Sequence, residues 1–219
     1  MDQSVLDALK RWPNVPAVYG WLSLSARGEW RLHPLGDAQN GGPGKGITNP
    51  QILGFMGRNY TKEPDGKWFF QNGPQRVYVR LDAAPYVAHL EPDSGSLITH
   101  NGLMIERVYA WFTDETGQLY AETELGAVRI DDRDLLTLVQ VLETSDGLNF
   151  LEALETAALE TAALDTESTP PILLVSEPGG HYNALKTPVF CYRILQQAIP
   201  ERLGFIKNPQ AETIAPQVS

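Results

Sequence analysis

The chain has 219 residues, a formal net charge of −10 and one cysteine, Cys191. A chain of this length buries roughly 70% of the surface its unfolded form exposes, so it needs neither disulfides nor a metal to fold. The lone cysteine excludes an intrachain disulfide and fits a reducing compartment. No stretch approaches the ~20 apolar residues of a membrane span. Met1 to Asp7 carries acids and lacks the apolar centre of a signal peptide. These features predict a cytoplasmic, soluble protein with no membrane partner. Between Asp134 and Glu177 there are nine acids and no Lys or Arg, which leaves 17 basic against 18 acidic residues elsewhere. The charge is therefore local to one segment. No basic stripe matches a phosphate backbone, so nucleic acid is not an expected partner.

Val5, Leu6, Leu9 and Trp12 recur at helical spacing and predict a helix over 4–12 that packs on the core and ends at Pro13 and Pro16. Residues 17–24 and 29–33 read as a hairpin about Ser25-Ala26-Arg27-Gly28. Residues 35–46 are glycine-rich and read as a flexible loop. They fail the phosphate-loop pattern, because Gly46 stands where a Ser or Thr should follow Lys45. Thr48 is placed to cap a helix with Pro50 in its first turn and Ile52, Leu53, Phe55 and Met56 on its apolar side.

The central unit is a hairpin, Trp68 to Asn72 and Gln75 to Leu81, about Gly73-Pro74. Val77, Val79 and Leu81 alternate with Arg76, Tyr78 and Arg80. Further strands are predicted at 86–90, 97–99, 106–113, 118–123 and 125–130. The hairpin turns ending at Gly28, Gly66 and Gly117 share a theme, a polar turn closing in Gly and followed one residue later by Trp or Leu. Their unequal spacing excludes a solenoid or propeller period.

Asp131 is predicted to cap a helix reaching Leu142, with Asp134 at the capping-box position. A second helical stretch from Asp146 contains a tandem Leu-Glu-Thr-Ala-Ala repeat. Leucines five apart make no single stripe on a 3.6-residue helix, so the segment 143–168 reads as an acidic helical insertion. Strands follow at 172–176 and 189–194, then a loose tail over 208–219. The predicted fold is α+β: a mainly antiparallel sheet of successive hairpins with a few short helices, forming one domain over 1–207.

Ile47-Thr48-Asn49-Pro50, Arg58-Asn59-Tyr60 and the run Gly66 to Val79 with its Gln71-Asn72-Gly73-Pro74-Gln75-Arg76 centre form a distinctive set. With Val15 to Leu22 and Ile199 to Phe205, they resemble a group of uncharacterised proteobacterial proteins classed as a domain of unknown function. The resemblance covers most of 13–207 and brings no activity or cofactor.

The polar candidate site joins Arg58, Asn59 and Tyr60 at a helix end to Asn72, Gln75 and Arg76 at the hairpin tip. Arginine forks and amide pairs suit a small anion, a carboxylate or a protein partner. The leading functional expectation is thus a non-catalytic binding or interaction protein, for which a homodimer is a compatible assembly. The alternative is an enzyme, of hydrolytic type, using His100 or Asp131, Asp132 or Asp134 near Arg76 as acid or base. A third reading has the acidic 143–168 segment docking a basic partner. Asp131, Asp132 and Asp134 lack the rest of a calcium-loop pattern. The histidines His33, His89, His100 and His181 show no metal-ligand spacing. No metal or other cofactor is therefore expected. Cys191 lies in an apolar strand, where a free thiol behaves as a small hydrophobe.

Overall fold

A computed structural model describes residues 1–91, 93–140, 142–145, 147–154, 172–176 and 188–211. The Leu-Glu-Thr-Ala-Ala repeat beyond Leu154, the turn at 177–180, His181 and the tail past 211 lie outside the described residues. The described chain forms two compact units, one of residues 1–25, 29–82 and the C-terminal segment from 206, the other of 26–28 and 83–205.

In the first unit, α1 (Gln3–Arg11) leads into β1 (Val18–Leu24) and β2 (Trp30–Leu32). The expected apolar face of α1 buries only Val5; Leu6 and Trp12 stay exposed, and Arg11 lies over the Trp12 ring. A 3-10 turn (Ala38–Asn40) and the short β3 (Lys45–Gly46) occupy the predicted flexible loop. That loop is fixed rather than free: Ala38 is fully buried, and Arg80 donates to its carbonyl at 2.7 Å. Helix α2 (Pro50–Arg58) follows. Its cap is Asn49, not Thr48: Asn49 stands immediately before Pro50 in extended conformation, and its Oδ1 accepts from both Gln51 and Ile52 N–H.

β4 (Tyr60–Lys62), β5 (Trp68–Asn72) and β6 (Gln75–Leu81) complete a six-stranded sheet in the order β3-β2-β1-β6-β5-β4. Asn72 pairs with Gln75 across Gly73-Pro74, a two-residue turn whose first position holds φ 57°, as glycine permits. Val77, Val79 and Leu81 are buried as their alternation predicts, and Tyr78 is buried as well. Its ring stacks on Tyr19 at 4.4 Å, so both faces of β6 are covered. Trp30, Tyr60 and Trp68 form the aromatic centre of this unit, with ring centroids 5.0 and 4.9 Å apart. The C-terminal segment is bonded to this unit at 207–209: Leu81 N–H donates to Lys207 O, and Gln39 Nε2 to Pro209 O.

In the second unit β7 (Tyr86–Leu90), β8 (Leu97–Thr99), β9 (Val108–Thr113), β10 (Leu119–Thr123), β11 (Gly126–Ile130), β12 (Leu142–Thr144), β13 (Ile172–Ser176) and β14 (Val189–Arg193) form one sheet. Its order is β12-β13-β14-β9-β10-β11-β7-β8. Helix α3 (Asp132–Gln140) ends two residues before the expected Leu142, where the chain turns into strand β12. The short α4 (Ile199–Arg202) closes the unit. Trp111, Phe112, Leu119, Val128, Ile130 and Leu138 are its buried core.

Both sheets are mixed. β1 runs parallel to β6, β11 to β7 and β14 to β9. The α+β class therefore holds, and the mainly antiparallel sheet expected from hairpins alone is qualified by these parallel joins. The two units also share a topology. A hairpin (β1–β2; β7–β8) precedes a three-strand meander (β4–β5–β6; β9–β10–β11). In each, the last meander strand lies parallel to the first hairpin strand, giving the orders β2-β1-β6-β5-β4 and β8-β7-β11-β10-β9.

Candidate functional site

The six sequence-selected residues fall into two groups. Arg58, Asn59, Tyr60 and Arg76 are committed to the fold. Arg58 clamps Asp2 through Nε and Nη2 at 3.0 and 3.1 Å, and this bonding holds the Asp2 carboxyl below its ordinary value. Asn59 is buried. It accepts from Asp2 N–H at 2.8 Å and donates to Phe55 O at 2.9 Å, tying α1 to the end of α2. Tyr60 belongs to the aromatic centre. Arg76 pairs with Glu63 and covers the Phe69 ring at 5.0 Å. Burial, and then Glu63, pushes the neighbouring Tyr78 phenol upward. Asn72 and Gln75, by contrast, line an open groove, although Gln75 Nε2 also donates to Pro16 O at 3.2 Å.

That groove arises from topology. β3 and β4 are the two edges of the first sheet, and α2 joins them, so the helix must cross the sheet's face. The space beneath it measures about 1010 Å³. Leu22, Leu32, Val77 and Phe70 form its floor, and Ile52, Phe55 and Met56 descend from α2. Periodicity on α2 fixed which face carries apolar groups but not how tightly they pack: Ile52 is 49% exposed and only Met56 is buried. Trp21 reaches the groove through a bulge. Val18 pairs with Val77 and Leu22 with Val79, so four residues of β1 match two of β6. Gly20 carries the bend at φ 80°. Bulges re-aim side chains in this way beside binding sites. No residue lining the groove is charged; its polar groups are Thr48 and the amides of Asn49, Gln51, Asn72 and Gln75.

The opposite face of the same sheet is polar. Neighbouring residues of a strand point to opposite sides, so the row Leu32–Leu22 faces the groove and the row Arg31–Ser23–Arg80 faces away. A second pocket of about 540 Å³ opens there, edged by Gly41, Gly42 and Pro43. Beneath it Ser23 Oγ lies 2.8 Å from His33 Nε2, and His33 Nδ1 3.3 Å from Asp37 Oδ1. The connectivity is that of a nucleophile, a base and an orienting acid. Ser23 and His33 are nonetheless fully buried, and a Cβ at Gly44 would come within 2.7 Å of His33 Nε2. The network is thus a clasp that satisfies buried polar groups and closes the loop over β2. Sequence reading missed it because Ser23, His33 and Asp37 form no recognised motif.

In the second unit, His89 Nδ1 stands 3.7 Å from Asp131 Oδ2 and 3.5 Å from Asp134 Oδ2. The three ligand atoms lie within 4.8 Å of one another, but both acids have other duties. Asp131 caps α3 through Arg133 N–H and binds the Arg133 guanidinium. Burial works to raise its pKa, yet these bonds hold the carboxyl below its ordinary value. Asp134 does not close the expected capping box; its Oδ2 accepts from Leu90 N–H and latches α3 to β7. Asp132 pairs with Arg129. His100 is half-buried with its Nε2 enclosed, and this desolvation with the nearby His89 pushes its pKa down to about 3. Burial pushes the Cys191 thiol up to about 12, consistent with a small core residue. Arg76 belongs to the first unit, while His100 and Asp131–Asp134 belong to the second.

Among the described residues no helix is long and apolar enough to cross a membrane. No curated protein matches the chain. Two solved structures are similar. One is a DUF1285 family protein from Silicibacter pomeroyi DSS-3, at 19% identity and TM-score 0.45, covering 65% of this chain and 87% of that one. The other is a DUF1285 family protein from Shewanella baltica OS155, at 15% identity and TM-score 0.39, covering 55% of this chain and 91% of that one. The expected membership of an uncharacterised family is met by a family model that matches residues 1–210, and the chain belongs to that family, described as "Protein of unknown function (DUF2946)".

Proposed function

We propose that this protein is a binding protein whose groove beneath α2 holds a small, largely apolar molecule with an uncharged polar end. The observation that carries the reading is the groove itself: about 1010 Å³, walled by aliphatic and aromatic side chains, with amides and no charge at its margin. Ligand sites are typically concave and mostly apolar, with a few polar groups that fix orientation. The sequence-based expectation of an anion or carboxylate at the hairpin tip rested on Arg58 and Arg76, and both are engaged by acids. Asn72 and Gln75 retain a recognition role, as amides suited to a hydroxyl, amide or ester.

The test is titration with N-phenyl-1-naphthylamine, a neutral apolar fluorophore, followed by competition with long-chain alcohols and their carboxylate counterparts. Saturable binding is expected, with the alcohol the better competitor. Ile52→Glu, which places a charge in the groove from an exposed helix position, should weaken binding at least about tenfold by exposing the ligand to an unpaired charge. Absence of saturable binding overturns the proposal. So does a dimer, seen by size-exclusion chromatography, that Ile52→Glu dissociates, because a second copy would then be the occupant.

A further inference from the structure

We propose that the polar pocket on the opposite face of the first sheet is a site for a phosphate-type oxyanion. Three basic side chains from separate segments line it: Arg31 from β2, Arg80 from β6 and Lys207 from the C-terminal segment, with Asp82 as the acid among them. Arg31 and Arg80 flank Ser23 in one cross-strand row, so the sheet register sets their spacing. Arg31 is answered by Glu29 at 3.0 Å and Arg80 by Asp82 at 2.8 Å. Lys207 has no acid within ion-pair distance among the described residues, so the pocket carries a surplus positive charge on an acidic protein.

The walls are pre-set. Arg80 Nη1 is held by Ala38 O at 2.7 Å. Asn208 Nδ2 donates to Gln39 O at 3.0 Å, and Gln39 Nε2 returns to Pro209 O at 2.7 Å. These bonds leave two buried polar atoms of lining residues without a partner, Arg80 Nε and Asn208 Oδ1. Unsatisfied buried groups of this kind point to a missing ligand, ion or water. The Nδ2 bond identifies the orphan on Asn208 as its acceptor oxygen, so the two atoms ask for opposite partners. Arg80 Nε needs an acceptor and Asn208 Oδ1 a donor. A hydrogen phosphate or phosphate monoester next to a hydroxyl supplies both; sulfate and chloride supply only the first. Both atoms are buried and belong to residues that line the pocket.

The experiment compares thermal stabilisation and calorimetric titration by inorganic phosphate, glycerol 3-phosphate, sulfate and chloride at equal ionic strength near pH 7. Phosphate or its ester should bind saturably and more tightly than sulfate, and chloride should not bind. Tighter binding of glycerol 3-phosphate would identify an ester as the occupant, tighter inorganic phosphate the free ion. Arg31→Gln with Lys207→Gln, both at accessible positions, should weaken binding at least about tenfold, the scale of a lost charge-assisted hydrogen bond. N-phenyl-1-naphthylamine binding in the groove should be unchanged in that variant, which separates this site from the first and reports correct folding. Equal effects of phosphate and chloride, or undiminished phosphate binding in the folded double variant, would overturn the inference.

Discussion

Gly20 shows how one residue fixes the shape of the groove. Its φ of 80° is accessible to glycine and strained for other residues. An added Cβ would come within 2.4 Å of the Gly36 carbonyl oxygen, a backbone atom that cannot rotate away. Gly20→Ala should therefore destabilise the protein by about 2 kcal/mol or more. Urea denaturation measures that loss, and a change within about 0.5 kcal/mol would show that β1 can flatten and that the bulge is not fixed here. The sequence marked residues 17–24 as a strand, but nothing local told that four residues would face two. Similarly, Arg58 and Arg76 looked available because their partners, Asp2 and Glu63, lie 56 and 13 residues away. Asn59 looked like an exposed helix end, and its burial follows from Asp2 N–H reaching its side chain across 57 residues. Side-chain chemistry was legible; whether each side chain was already occupied was not.

At the scale of elements, the hairpin turns were the most legible feature. The turns at 25–29, 63–67 and 114–118 share one bonding pattern. The first N–H donates to the carbonyl four residues on, and glycines 28, 66 and 117 hold φ of 78, 87 and 80°. This is a type I turn followed by a left-handed residue, a three-residue hairpin loop whose last position selects glycine. The shared Gly theme is explained by that requirement. For Gly66 and Gly117 it also marks equivalent positions, because both turns join the first two strands of a meander. Gly117→Ala should cost about 1–2 kcal/mol from backbone strain alone, since nothing lies within 4 Å of an added Cβ there. Thermal or urea unfolding checks this, and Gly117→Asn, which tolerates the left-handed region better, should recover part of the loss. Strand β12 escaped the reading because Leu142-Glu143-Thr144 continues the polarity pattern of α3. Its strand state comes from pairing with β13, some thirty residues later in the chain.

For the whole molecule, the most direct prediction concerns acid. His100 titrates near 6.5 when free and near 3 in the folded protein, chiefly because burial disfavours its charged form. Between those values the unfolded chain binds the proton and the folded chain does not, so stability falls as pH drops through that window. The slope is on the order of 1.4 kcal/mol per pH unit at most. Asp131, whose pKa is also lowered, adds its loss only below 3.8. Denaturant midpoints measured from pH 7 to pH 4 should decline, and His100→Gln should flatten the decline. An unchanged slope in that variant would place the titrating group elsewhere.

The same division runs through the molecule. Composition, alternation and turn residues by themselves determined the α+β class, the succession of hairpins, the buried face of β6 and the inert setting of Cys191, because those properties depend on neighbours within a few residues. Only the tertiary structure decided the parallel joins that make the sheets mixed, the common topology of the two units, and the crossing of α2 that opens a groove beneath it. It also decided which polar residues remain available, because each depends on pairing between segments far apart in the chain.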